Sequence, residues 1–132
     1  MREDPKLYLL FNHTLTQKQR TDAHETLGTQ EIIVTPEQIT ALWRDIPAAT
    51  PTLYEMLTPV REYLDQQIRA GDYLLVQGDA GASFLIAQYA IGKGIIPIYA
   101  TTERKETTEK NQDGKVIKRS VFEHVRYRRY GA

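Results

Sequence analysis

Three short polar stretches hold the residues best equipped for chemistry. They are Asn12, His13 and Thr14; the turn at residues 77–83 (Gln77, Gly78, Asp79, Ala80, Gly81, Ala82, Ser83); and Thr101, Thr102 and Arg104. Each directly follows an apolar run. His13 is the candidate catalytic group, because an imidazole with an ordinary pKa of roughly 6.5 can take or give a proton near neutrality. It could equally donate a hydrogen bond to a phosphate or cap the next helix. In the middle stretch, small residues let a ligand approach the backbone, and the N–H groups opening the following helix favour an anion. Its spacing matches neither a Walker loop nor a full GxGxxG fingerprint, since Ala82 and Ser83 follow Gly78 and Gly81. Ser83 reads as a phosphate ligand rather than a nucleophile. The plainer reading of Gly78 and Gly81 is a tight turn with close helix–sheet packing. His124, Arg126 and Arg128 occupy alternate positions of the last strand-like segment, so a period of two places them on one face. They could extend a basic wall toward a ligand, or be charges that protect an edge strand.

Other chemistries find little in the sequence. There are no cysteines, which rules out disulfides, iron–sulfur clusters and thiolate zinc sites. The three histidines have no short ligand spacing and no acidic cluster faces them, so neither metal nor cofactor is expected. No Ser–His–Asp arrangement is defensible, and His24 reads as a surface residue of the first helix.

The elements that must position these groups alternate. Residues 6–12 form an apolar run suited to a strand buried on both faces of a parallel sheet. Thr16 and Gln19 make a capping box, predicting a helix to about Leu27 that stops at Gly28. A short β-branched strand at 31–35 follows. Thr35, Pro36 and Gln38 then repeat the helix-start chemistry, with Pro36 at the first helical position. A further helix starts at Thr50 and Pro51, with Leu53, Leu57, Val60, Leu64 and Ile68 on one face, and Pro59 kinks it or splits it after Thr58. Strands at 73–77 and 95–101 flank a helix rich in apolar residues. Pro97 argues that the second of these strands lies near the sheet edge. Asp113 and Gly114 mark the turn of a hairpin, about 102–130. The expected fold is one Rossmann-like α/β domain over 1–132: a three-layer sandwich with a mainly parallel sheet, order 2-1-3-4, and an antiparallel C-terminal hairpin at the edge. In such sheets ligands bind at the carboxyl ends of the strands, where successive connections leave in opposite directions. All three polar stretches fall on that rim.

At 132 residues the chain can bury a core without staples. Formal charge is zero, yet residues 102–132 hold nine Lys/Arg against five Asp/Glu, a net of +4 that leaves −4 for residues 1–101. One mildly basic surface suits a local anionic ligand but not a duplex-DNA binder. No membrane span or signal-peptide core is evident, so a cytoplasmic location is expected.

Four ordered motifs cover nearly the whole chain: LFNHTLT at 10–16, GDYLLVQ at 71–77 with its loop GDAGAS at 78–83, IPIYATT at 96–102 and VFEHVRYRRY at 121–130. Together they resemble small stand-alone CRISPR-associated proteins of type III systems. That group is similar in fold to the CARF domain, a Rossmann-like module that recognises cyclic oligoadenylates. The resemblance implies a homodimer gripping a cyclic RNA second messenger, with ring nuclease activity that linearises cyclic tetra-adenylate and switches off antiviral effectors. It places Asn12, His13, the 77–83 loop, Thr101 and Thr102 on the ligand, while Thr14, Arg104, His124 and Arg126 complete the expected site. Three rivals remain open at this point: a non-catalytic sensor or sponge for the same ligand, a flavodoxin-like mononucleotide or flavin binder, and a structural partner of another CRISPR component.

Overall fold

The structure is a computed structural model that describes residues 4–132. Among these residues nine elements follow the expected alternation: β1 (Leu7–Phe11), α1 (Gln17–Leu27), β2 (Ile32–Val34), α2 (Glu37–Arg44), α3 (Thr58–Gln67), β3 (Tyr73–Gln77), α4 (Ala80–Gly92), β4 (Ile96–Lys110) and β5 (Val116–Arg129). They build one five-stranded sheet in the order β2-β1-β3-β4-β5, parallel throughout except for the antiparallel β4–β5 pair. The layout is Rossmann-like, and the order of the first four strands is the expected one.

Alternation along the strands builds a core on each face. Leu7, Leu9, Tyr73, Leu75, Ile98 and Tyr127 pack with Leu15 and with Ala23 of α1. Tyr8, Leu10, Leu74 and Val76 point the other way, against Ile39 and Trp43 of α2, Val60 and Leu64 of α3, and Ala82, Ile86 and Ala90 of α4. Helix α1 therefore covers one face and α2 to α4 the other. Thr16 caps α1 by the expected box, accepting from Gln19 N at 3.2 Å while Gln19 Oε1 accepts from Thr16 N at 2.8 Å. Gly28 closes the helix in the left-handed region, at φ 69°.

Three local expectations are corrected. Pro36 stands just before α2 rather than inside it, and the Thr35 hydroxyl bonds to Thr40 Oγ1 at 2.9 Å instead of a backbone amide, so the second capping box does not form. The segment from Thr50 to Leu57 makes turns, and α3 starts only at Thr58 with Pro59 in its first turn. There the missing proline N–H removes no bond. The hairpin is also not a separate unit: β4 runs unbroken from the parallel sheet into the first arm, giving five strands instead of six. Pro97 is tolerated because its carbonyl accepts from Tyr130 N at 3.0 Å, so its donor-less side faces the very end of β5.

Candidate functional site

The switch point lies between β1 and β3. Phe11 pairs with Gln77, so residues 12–14 and the 78–83 turn emerge side by side at the carboxyl rim while α1 and α4 leave toward opposite faces. Asn12, His13 and Thr14 are all exposed. The turn that carries them is short, pinned by buried Leu15 and by the α1 cap. His13 meets Phe11 edge-on, with ring centroids 5.4 Å apart.

Packing shapes the 77–83 turn. The Gln77 carbonyl accepts from Trp43 Nε1 at 2.9 Å, and its side-chain Oε1 accepts from Ala100 N at 2.8 Å, which carries the β3–β4 connection beyond the last strand pair. Gly78 lies against the Trp43 indole: a Cβ there would sit 2.6 Å from Nε1 and 3.0 Å from Cε2. Gly81 has room, its nearest neighbour being Asp79 Oδ2 at 3.5 Å. The close-packing reading thus holds at Gly78 and not at Gly81. Asp79 alters the anion-site expectation. Its Oδ2 accepts from Ala82 N at 3.0 Å and its carbonyl from Ser83 N at 2.8 Å, so the protein's own carboxylate already occupies the opening of α4. Ala82 is fully buried, and Ser83 lies beneath the rim at 6% exposure.

The third stretch is strand, not loop. Thr101 Oγ1 donates to the Arg126 carbonyl at 3.1 Å and accepts from Arg126 N at 3.3 Å, holding a β-bulge between Thr101 and Thr102. Thr102 is exposed opposite His124. Arg104 is drawn along the ribbon, donating to Ser120 Oγ from Nε and Nη2 at 3.1 and 2.8 Å, with Glu106 at 3.8 Å.

The bulge also overturns the shared face expected for His124, Arg126 and Arg128. Thr101 pairs with Arg126 and Thr102 with His124, so Val125 is the extra residue. His124 rotates onto the α1 side with Tyr127, their ring centroids 4.8 Å apart, and is 5% exposed. Its Nε2 lies 2.7 Å from Asp22 Oδ2 of α1, and Nδ1 has no partner. His124 therefore anchors the base of the ribbon and does not line a basic wall. Arg126 and Arg128 stay exposed, and Arg128 Nη1 donates to the Tyr99 hydroxyl at 3.2 Å.

A cavity of about 450 Å³ opens beside the rim, lined by Gln77, Gly78, Ala80, Ser83, Phe84, Tyr99 and Tyr130. Sequence reasoning missed its aromatic wall. Phe84 sits in a helix so uniformly apolar that its outward direction was not legible, and Tyr99 and Tyr130 become neighbours only through the β4–β5 register. Burial raises the Tyr130 hydroxyl above the ordinary tyrosine range, and nearby Ser83 offsets part of that shift. The two do not meet in hydrogen-bond geometry: Tyr130 donates to the Val76 carbonyl at 2.6 Å, and Ser83 Oγ has no partner. A larger cavity, about 790 Å³, lies at the amino ends of the strands, near Lys6, Tyr8, Tyr63 and Asp72. Its polar groups serve the fold: Asp72 accepts from Lys6 N and Arg69 N at 3.0 and 3.1 Å, and Tyr8 donates to the Gln67 carbonyl at 3.0 Å. Among the described residues, no three His, Asp or Glu side chains converge as metal ligands would, and no helix is long and apolar enough to cross a membrane.

No solved structure matches the chain. A protein of Methanocaldococcus jannaschii, Uncharacterized protein MJ1673, is 40% identical over 126 residues, which span 96% of this chain and 97% of that protein. The same family is matched by residues 5–128. With a match over almost its whole length and this degree of identity to a full-length relative, the chain belongs to the MJ1673 family.

Proposed function

We propose that the protein is a ring nuclease of type III CRISPR systems, acting in the cytoplasm as a homodimer that binds and linearises a cyclic oligoadenylate, cyclic tetra-adenylate foremost. The observation that carries this reading is the pairing of Phe11 with Gln77, which brings exposed His13 and the small-residue 78–81 turn together at the switch point. The four-motif resemblance supplies the ligand class. The chemistry needs neither metal nor cofactor. A ribose 2′-oxygen forms a bond to its adjacent phosphorus, the P–O5′ bond breaks, the 2′-OH proton leaves and the 5′-oxygen gains one, giving a 2′,3′-cyclic phosphate. The protein's share is in-line positioning and stabilisation of developing charge. His13 would assist proton transfer, with Asn12, Thr14 and exposed Arg126 around the phosphates and the small residues of the 78–81 turn leaving room for the ring beside them. A twofold ring suits an isologous dimer. The ribbon favours one too: a two-stranded ribbon alone is marginal in water, and this one exposes Val121, Phe122 and Val125. Duplex DNA and membranes are not expected partners.

A second reading, a sponge or sensor without turnover, is favoured by one observation. Contact with the Phe11 ring is the only interaction that holds His13 among the described residues, so the imidazole has no polar group to orient it. Incubation with cyclic tri-, tetra- and hexa-adenylate separately, in EDTA, decides between the two. The enzyme converts one ring to linear fragments, and His13→Ala slows that step about 10²-fold or more while binding stays within a few-fold. A ring bound tightly but recovered intact establishes the sponge. Neither cleavage nor binding refutes both.

A further inference from the structure

The cavity beside the rim has a composition that neither the phosphate chemistry nor the fold requires. Phe84 is 62% exposed on the first turns of α4, where a polar residue would serve the helix equally well. Tyr99 and Tyr130 meet edge-on behind it, with centroids 5.0 Å apart and planes at 64°. The Arg128 guanidinium lies 5.7 Å from the Tyr99 ring. The floor is small, formed by Gly78 and Ala80. One buried polar side-chain atom of the lining residues has no partner: Ser83 Oγ, in a residue only 6% exposed. Buried hydroxyls are normally hydrogen-bonded, and an exception asks for an explanation. Here Ser83 lines an opening that it shares with the rings of Phe84, Tyr99 and Tyr130.

We propose that this cavity is the seat of one purine base, its face against Phe84 and the tyrosines and its polar edge on Ser83 Oγ. A flat heteroaromatic group has apolar faces and a hydrogen-bonding rim, which matches aromatic walls beside one unpaired hydroxyl. A sugar would leave most of its hydroxyls unpaired against these rings, and an alkyl chain would leave Ser83 unpaired. The assignment moves Ser83 from the phosphate role expected from sequence to a base-reading role. The phosphate of a nucleotide seated there is left to Arg128, since Asp79 already holds the opening of α4. It deepens the ring nuclease reading, on which it rests for the identity of the natural ligand, by locating where an adenine of the ring is held.

Trp43 supplies the readout. It is the single tryptophan, and its indole N–H bonds to the carbonyl of Gln77, a wall residue. Titration of the full chain with AMP and with ribose 5-phosphate is expected to give a saturable Trp43 fluorescence change for AMP alone. Phe84→Ala, at an exposed position that leaves the core intact, weakens AMP about tenfold or more. Ser83→Ala removes an atom with no bond in the free protein, so it weakens AMP without lowering Tm. No saturable response to AMP overturns the proposal, as does an equal response to both compounds or unchanged AMP affinity in both variants. Cyclic tetra-adenylate separates this failure from that of the enzyme reading. If the wild type leaves the ring intact while AMP binding still depends on Phe84, the nuclease falls and the base seat stands. If wild type and both variants cleave the ring equally well, the nuclease stands and the base seat falls.

Discussion

Gly78→Ala and Gly81→Ala should behave in opposite ways although they lie three residues apart in one turn. At position 78 the new methyl would stand 2.6 Å from Trp43 Nε1 and 3.3 Å from Cζ2, and the ring it meets is rigid and only 1% exposed. Either the indole or the 77–79 backbone has to move. Overpacking of this kind costs about 1–3 kcal/mol. Displacing the indole also breaks its 2.9 Å bond to the Gln77 carbonyl, and a buried donor left unpaired costs about 1–3 kcal/mol. Because movement relieves the clash as it breaks the bond, the two do not simply add, and the expected loss is about 2–4 kcal/mol. For a chain of this size that lowers Tm by roughly 10 °C. At position 81 the closest atoms are 3.5 Å or more away and the residue lies inside α4, so alanine should be neutral or stabilise by up to about 1 kcal/mol through helix propensity. Urea unfolding followed by Trp43 emission and by far-UV circular dichroism measures both. A Gly78→Ala protein within about 0.5 kcal/mol of wild type, the range of an ordinary surface change, with unshifted Trp43 emission would refute the close-approach argument.

Three further outcomes follow from the same contacts. Asp79→Ala removes the α4 cap and should cost about 1 kcal/mol, whereas Asp79→Asn, which can still accept from Ala82 N, should cost a fraction of that in thermal denaturation. Asp22→Ala strips buried His124 of its 2.7 Å partner and should cost about 1–3 kcal/mol. Amide exchange should quicken first in β5 around His124, where α1 ties down the ribbon. Burial is the first cause that holds the hydroxyls of Tyr8, Tyr63, Tyr127 and Tyr130 above the ordinary tyrosine pKa, most strongly at Tyr127. Their folded pKa values thus exceed the unfolded ones, so the stability is present in full below about pH 10 and is lost as pH rises through the folded values. Urea midpoints should fall through that range, and Tyr127→Phe should flatten the fall while costing about 1 kcal/mol at neutral pH, because its hydroxyl donates to the Gln19 carbonyl at 2.9 Å.

What the sequence made legible was local chemistry with a fixed spacing. The Thr16–Gln19 box, the Gly28 stop and the two-sided burial of β1 each follow from a few neighbouring residues, and the alternation of strands and helices pointed to the Rossmann-like layout. What it hid depends on partners far along the chain. Nothing near Gly78 announces that Trp43, 35 positions earlier, lies against it. One extra residue at Val125 reverses the face of His124, and a period-two count cannot detect a bulge held by Thr101 on the neighbouring strand. Asp79 looked like one polar residue among several in an anion loop, yet in the fold it caps the helix that the anion was expected to meet. The aromatic cavity was hidden for the same reason, since its walls come from α4, β4 and the end of β5.

The decisive observation is the product formed from cyclic tetra-adenylate in excess EDTA, compared with that from the same ring methylated at every 2′-oxygen. Attack by the ribose 2′-oxygen opens the natural ring to fragments whose mass shows a 2′,3′-cyclic phosphate end and returns the methylated ring whole. A natural ring left intact, or a methylated ring cut at the same rate, would contradict that mechanism.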